Sequence, residues 1–240
     1  MKTLRETNPK KSTMDKYHAI VMDTFDTVCN LKARIGGRYL PKCHVMDGQK
    51  YVCMDELMED IQNNECIVYS FGVGNDLSFE KTMTEMGCKV FAYDPTIDHS
   101  KHNFESISFK KIGVVGVPGK DKNYQTLNEI FKANGHVDTK ISYLKLDIEK
   151  GELNGLPVWL ASGALENVQQ IAMEVHLDRP APKVTLDFLQ NFLDLQLKGD
   201  FRIFNWEANN CWKNSNKKTD YFGLSEIVLK KINSENLCIR

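Results

Sequence analysis

The 240-residue sequence has no apolar run near the ~20 residues that a membrane-spanning helix requires. Its first sixteen residues are polar and contain lysine, so they lack the apolar centre of a secretory signal. The formal net charge is only −1 at pH 7, which predicts no general attraction to nucleic acid or to an anionic membrane. These absences predict a cytoplasmic protein without a membrane span, or a secretory one if the N-terminus has been trimmed.

The seven cysteines include no Cys-x-x-Cys pair, which argues against a zinc ribbon. Cys66 and Cys88 fall in predicted strands and are interpreted as small buried hydrophobic residues. Cys29, Cys43 and Cys53 could form a disulfide in a secreted protein, but in a cytoplasmic one we expect reduced thiols. No spacing of potential ligands in the sequence requires a metal, and we predict none.

One short stretch organises the chain, residues 66–76, with the sequence Cys-Ile-Val-Tyr-Ser-Phe-Gly-Val-Gly-Asn-Asp. Its β-branched and aromatic first half predicts a buried strand, and its two glycines predict a turn before a helix. Asp94 follows Gly72 by 22 positions (94 − 72), which matches the ~20-residue offset of an acidic residue that binds a ribose. A Gly-x-Gly can also be only a tight turn, but together these features favour a nucleotide-type ligand. Leu77 replaces the third glycine of the dinucleotide fingerprint, which favours a ligand without pyrophosphate, such as S-adenosylmethionine.

Strands and helices alternate over most of the chain, which predicts an α/β fold with a mostly parallel sheet and helices on both faces. The last two strands are joined without a strong helix, which predicts an antiparallel closure. We expect a flexible tail over residues 1–14 and a single domain over 15–240, with an N-terminal helical extension over 15–64. The predicted strands are 66–71, 88–93, 107–112, 141–146, 168–175, 201–206 and 227–232.

Titratable residues follow several of these strands, and ligands of open parallel sheets bind beyond the carboxyl ends of the strands. Asp147 follows the fourth strand, and Glu174 and His176 end the fifth. Asp147 could instead cap the following helix, and His176 could make only a structural hydrogen bond. Glu149 and Glu152 are typical first-turn acids of a helix and also candidates for the site. His176 is a plausible proton acceptor near neutral pH.

Three motifs in this order resemble FkbM-type S-adenosylmethionine-dependent methyltransferases, and most of all the methyltransferase-like protein 24 group of that superfamily. They are residues 68–76, residues 143–149 (Tyr-Leu-Lys-Leu-Asp-Ile-Glu) and residues 172–176 (Ala-Met-Glu-Val-His). The resemblance covers roughly residues 34–230 and implies a Rossmann-like, seven-stranded methyltransferase sheet with an antiparallel closing strand. The sequence differs from the family at Lys150, where glycine is common.

The resemblance implies that Gly72 and Gly74 approach the donor and that Asp94 holds its ribose hydroxyls. From the residues and the resemblance together, the predicted catalytic residues are Asp147, Glu174 and His176. The predicted donor-binding residues are Ser70, Phe71, Gly72, Val73, Gly74, Asp76, Asp94, Pro95, Gly113 and Asp147.

The predicted function is transfer of a methyl group from S-adenosylmethionine to an oxygen or nitrogen of an unknown small-molecule or protein acceptor. Positioning of an in-line displacement would supply most of the catalysis. A hydroxyl acceptor would also need a base, and His176 or Asp147 could serve. One alternative is a module that binds the donor without turnover. A nicotinamide-dependent oxidoreductase is less favoured because of Leu77.

Overall fold

The computed structural model describes residues 29–98, 103–177, 182–209 and 224–232. The strands are β1 (Lys32–Ile35), β2 (Arg38–Leu40), β3 (Val45–Asp47), β4 (Lys50–Cys53), β5 (Ile67–Phe71), β6 (Lys89–Tyr93), β7 (Ile107–Lys110), β8 (Gly113–Val115), β9 (Tyr124–Thr126), β10 (Tyr143–Leu146), β11 (Gln170–His176), β12 (Phe201–Ala208) and β13 (Leu224–Lys231). The helices are α1 (Met54–Gln62), α2 (Ser78–Glu85), α3 (Leu127–Ala133), α4 (Gly151–Ala161) and α5 (Pro182–Lys198).

Seven of these strands form one sheet in the order β12-β13-β11-β10-β5-β6-β7. The central pairs β11–β10, β10–β5, β5–β6 and β6–β7 are parallel. β13 runs antiparallel to both β11 and β12. The predicted Rossmann-like α/β sheet with an antiparallel closing strand is therefore confirmed. The chain order reverses between β5 and β10, and the carboxyl ends of the central strands meet at that point.

The sheet is buried on both faces, which is why its central strands are continuous apolar runs. Every residue of β5 and of β10 is buried. One face packs against helices α3, α4 and α5, and the other against α1, α2 and the N-terminal strands. α3 begins with a reciprocal capping box between Thr126 and Glu129, which fixes its first turn. Within the described residues, every helix falls short of the length and apolarity needed to cross a bilayer.

The described part of the N-terminal extension is built mainly of strands, so the prediction of a helical extension is wrong there. Residues 1–28, with the predicted tail and the first part of the predicted extension, lie outside the described residues. β1 pairs antiparallel with β4, and β2 with β3. The side-chain amide of Gln170 on β11 exchanges two hydrogen bonds with the backbone of Cys53, at 2.8 and 2.7 Å. The N-terminal strands thus form two small sheets of their own, and Gln170 fastens one of them to the main sheet. Among the described residues of the predicted extension, α1 is the one helix.

Cys29 is bonded to Cys53 and Cys66 to Cys88, so the prediction of reduced thiols is wrong for the first pair. The interpretation of Cys66 and Cys88 as small buried residues misses their bond. Cys43 is disulfide-bonded as well. Sequence spacing could not reveal the second pair, because it depends on which strands are neighbours. Cys66 precedes β5 and Cys88 precedes β6, and the parallel pairing of these strands brings their Cα atoms to 4.6 Å.

We expect the Cys66–Cys88 bond to be present in the purified protein and to stabilise it. Replacing both cysteines with alanine should lower the free energy of unfolding by about 3 kcal/mol, because the bond closes a loop of roughly 20 residues in the unfolded chain. Urea unfolding would measure the change, and peptide mapping without reduction would identify the linked pair. Alkylation of both thiols before any reduction would contradict the assignment.

Candidate functional site

A cleft of about 560 Å³ opens at the carboxyl ends of β5, β6, β10 and β11. The chain places many of the predicted site residues in its wall because these strand ends share one edge of the sheet. The predicted residues that line the cleft are Gly72, Val73, Gly74, Asp76, Asp94, Asp147, Glu174 and His176.

Four other predicted residues do not line this cleft: Ser70, Phe71, Pro95 and Gly113. Ser70 and Phe71 are fully buried within β5, where alternation sends their side chains into the two cores. The Ser70 hydroxyl donates a hydrogen bond to the Glu80 carboxylate at 2.5 Å. Gly113 packs closely against Pro95, since a Cβ there would lie 3.1 Å from the Pro95 ring. These four residues support the strand ends rather than form the cleft surface.

The two glycines of the turn after β5 meet different structural requirements. Gly72 has φ +75°, and a Cβ at this position would lie 1.6 Å from the carbonyl oxygen of Asp147. Gly72 therefore allows the ends of β5 and β10 to approach each other. Gly74 has φ +60°, and a Cβ there would meet nothing within 4 Å. Any side chain at Gly74 would be strained and would enter open space beside the cleft.

Asp94 fixes the shape of this turn. One carboxylate oxygen accepts a hydrogen bond from the Gly74 N–H at 2.9 Å. The other accepts from the Thr96 N–H and hydroxyl at 2.8 and 2.7 Å. Burial opposes the charge, but these hydrogen bonds outweigh it and lower the pKa of Asp94 below its usual value. The Ile97 backbone N–H contributes as well. The carboxylate lines the cleft, so a ligand hydroxyl there would share its oxygens with these donors.

The catalytic candidates lie together at the ends of β10 and β11. One potential ligand atom from each of Asp147, Glu174 and His176 lies within 4.8 Å of the others. Burial, together with the charges of Asp147 and Glu226, raises the pKa of Glu174. Glu174 and Asp147 share a side-chain hydrogen bond. This geometry could accommodate a divalent cation, but Lys50 already supplies a positive charge to Asp147, and we assign no metal.

Lys50 on β4 is a residue of this cluster that the sequence analysis missed, as is its partner Glu226. Its side chain is buried, forms an ion pair with Glu226 on β13, and places Nζ 3.6 Å from Asp147 Oδ2. Burial opposes the charge, but Glu226, Asp147 and Glu174 outweigh it and raise the pKa of Lys50. The same ammonium, acting against the burial of the carboxyl, lowers the pKa of Asp147. No local pattern could reveal this pairing, because Lys50 and Glu226 are 176 positions apart.

His176 is held by Glu152, the first-turn acid of α4. Glu152 is fully buried, and its Oε1 lies 2.9 Å from the His176 backbone N–H and 3.0 Å from Nδ1. Burial disfavours the charged ring, but the Glu152 carboxylate, aided by Glu174 and Asp147, raises the pKa of His176 to about 9. His176 is thus an imidazolium near pH 7. The expectation of a neutral base at that pH does not agree with these surroundings.

The turn between β10 and α4 carries backbone strain beside the cluster. Glu149 and Lys150 adopt φ values of +52° and +76°, in the left-handed region that favours glycine. This geometry suits the glycine that the family resemblance implies at the Lys150 position. Both residues line the cleft, and Glu149 Oε2 lies 3.4 Å from His176 Nε2. Strained residues of this kind persist where the surrounding structure fixes them, often at functional sites.

A methyltransferase domain family matches residues 2–222 of the chain. The human protein named "Probable methyltransferase-like protein 24" is 30% identical over 173 residues, which are 64% of this chain and 46% of that protein. The protein of the same name from Rattus norvegicus is 29% identical over 173 residues, 64% of this chain and 47% of that protein. The chain thus spans about half the length of the curated relatives that it matches. These relatives agree with the predicted group, whereas the FkbM type stays a prediction.

Solved structures are also similar to the chain. Streptococcus mutans SMU.1697c in complex with SAH aligns with a TM-score of 0.37 at 14% identity, covering 70% of this chain and 88% of that one. The fibrillarin/Nop5p complex aligns with a TM-score of 0.41 at 12% identity, covering 82% of this chain and 90% of that one.

We expect the buried His176 and the half-buried His136 to titrate in opposite directions. The pKa of His176 should lie well above 6.5, whereas burial and the nearby Lys89 lower the pKa of His136. Glu152→Gln removes the charge beside His176, so it should lower the pKa of His176 and leave that of His136 unchanged. NMR titration of the imidazole signals measures both groups in one sample. A His176 pKa at or below 6.5 in the unsubstituted protein would refute this electrostatic account.

Proposed function

Since the chain belongs to the methyltransferase domain family, we propose that it moves a methyl group from S-adenosylmethionine to an oxygen or nitrogen of an acceptor in the cleft. The observation that carries this proposal is the turn from Gly72 to Gly74, locked by Asp94 at the switch point of the sheet. A backbone free of side chains beside an ionised acid suits a nucleoside with free ribose hydroxyls.

The donor would lie along the ends of β5 and β6. The open space above Gly74 accommodates close approach of the donor. The Asp94 oxygens would accept hydrogen bonds from the two ribose hydroxyls, and such charge-assisted bonds are the strong ones. Asp76 and Val73 line the same part of the cleft. Leu77 stands where the dinucleotide fingerprint has its third glycine, which fits a donor without a pyrophosphate.

The acceptor would bind beside the cluster at the ends of β10 and β11. Methyl transfer breaks the bond between carbon and the sulfonium sulfur, and forms a bond between that carbon and the acceptor atom. The products are S-adenosylhomocysteine, the methylated acceptor and a proton. Asp147 is the group that we assign to accept the proton, because it is ionised and partly exposed to the cleft. His176, positively charged at neutral pH, would position Glu174 and Asp147 rather than act as the base.

A second candidate function, binding of the donor without turnover, uses the same cleft. The strained Glu149–Lys150 turn favours it, because lysine replaces the glycine that the family resemblance implies. Release of S-adenosylhomocysteine in the presence of an acceptor distinguishes an enzyme from such a module. A nicotinamide oxidoreductase would instead bind NAD in preference to S-adenosylmethionine, which calorimetry detects.

We also propose that the domain folds in an oxidising compartment. Disulfides persist in such compartments and are rare where glutathione keeps thiols reduced. The pairs Cys29–Cys53 and Cys66–Cys88 support this localisation over the cytoplasm. Thiol mapping on protein captured from its own cells, with alkylation at lysis, tests it. Fully alkylated cysteines in that sample would contradict this proposal and favour a cytoplasmic location.

We expect Asp94→Ala to weaken S-adenosylmethionine binding by roughly 1–3 kcal/mol, since it removes charge-assisted hydrogen bonds from the ribose. Isothermal titration calorimetry measures this, with melting temperature recorded for both proteins. Asp121→Ala is the matched control, because Asp121 also accepts a backbone N–H in a turn but does not line the cleft. An unchanged affinity in a folded Asp94→Ala variant would remove Asp94 from the donor site.

A further inference from the structure

A second pocket, of about 300 Å³, adjoins the cleft. Its walls come from the β2–β3 hairpin on one side and from the end of β12 and the start of β13 on the other. Three residues line both cavities, Asp47, Gly48 and Asn209. The pocket therefore opens towards the Asp147 cluster, on the acceptor side of the proposed reaction.

The pocket contains an unusual set of hydrogen-bond acceptors. Gln49 Oε1, Glu207 Oε2 and Glu226 Oε2 are buried, and none of them accepts a hydrogen bond from the described residues. All three residues line this pocket. Gln49 is only 6% exposed, so water reaches little of its side chain. Buried acceptors without donors are rare and cost free energy. A ligand that supplied donors here would recover that free energy.

Two of the three carboxylates that line the pocket, Glu207 and Glu226, already have a cation, and the third is Asp47. Arg34 Nη2 lies 3.5 Å from Glu207 Oε1, and Lys50 pairs with Glu226. Each of these carboxylates thus has a cation on one oxygen and no donor on the other. A cationic ligand would meet an existing cation at each of the two glutamates, and an anionic ligand would meet carboxylate oxygens. The chemistry that fits is a neutral molecule with several hydrogen-bond donors.

We propose that this pocket binds the methyl acceptor, and that the acceptor is a neutral polyhydroxylated molecule such as a sugar. The inference rests on the proposed methyltransferase function and narrows it to transfer onto oxygen. The exposed ring of Tyr39, which also lines the pocket, offers an apolar face to the C–H groups of such a molecule.

In this reaction one acceptor hydroxyl would extend from the pocket towards Asp147 in the cleft. The hydroxyl oxygen attacks the methyl carbon, the carbon–sulfur bond breaks, and its electron pair stays on sulfur. The hydroxyl proton passes to Asp147 and then to solvent. The products are a methyl ether and S-adenosylhomocysteine, so no further reactant is needed.

The test uses the full chain with S-adenosylmethionine carrying a labelled methyl group. One set of acceptors contains the methyl glycosides of all hexose epimers together with myo-inositol, and a matched set contains primary amines of similar size. We expect labelled ethers from the first set only. Gln49→Leu should lower kcat/KM for the polyol about tenfold, the worth of one hydrogen bond, without changing the donor Kd. Gln196→Leu is the control, since Gln196 is also buried with an unpaired side-chain oxygen but lines neither cavity.

The outcomes separate this inference from the proposed function. Absence of donor binding would contradict the proposed function itself. Donor binding with label only in amines, or with no labelled polyol, would overturn the pocket assignment and leave the donor site intact. Equal kcat/KM for Gln49→Leu and the unsubstituted protein would also overturn it.

Discussion

The site depends on one buried ion pair, that of Lys50 with Glu226, with Asp147 beside it. Lys50 comes from the N-terminal strand β4, whereas the carboxylates come from β13 and from the end of β10. Removing one partner of a buried pair leaves an uncompensated charge, which is strongly destabilising. The N-terminal strands are therefore part of the site's electrostatics. Without the Lys50 ammonium, the carboxyl groups of Asp147, Glu174 and Glu226 would converge without the cation that contacts two of them.

Around this pair, the sheet divides the proposed chemistry into two halves. The ends of β5 and β6 offer bare backbone and the ionised Asp94, which suit the donor. The ends of β10, β11 and β13 offer titratable groups and unpaired acceptor oxygens, which suit the acceptor. Gly72 joins the halves, because only a residue without Cβ lets the end of β5 lie against the carbonyl of Asp147.

The sequence predicted the parts of this arrangement that depend on local motifs and on parallel topology. Asp94 and Asp147 each follow a strand of clear pattern, and parallel strands bring such residues to one edge. Lys50 and the Cys66–Cys88 bond escaped prediction because each depends on which strands become neighbours. Glu152 was predicted only as a first-turn acid, because its hydrogen bonds to His176 depend on how α4 packs against β11. The N-terminal strands escaped because each is only three or four residues long and depends on its partner strand.

The most direct test of this account is a double-mutant cycle on Lys50→Met and Glu226→Gln, read as the free energy of urea unfolding. Lys50→Met alone should cost about 3–5 kcal/mol, because it leaves a buried carboxylate without its cation. Adding Glu226→Gln should restore part of that loss, so that the two changes together cost less than their sum by more than about 1 kcal/mol. Additivity within about 0.5 kcal/mol would contradict the claim that this pair holds the site together.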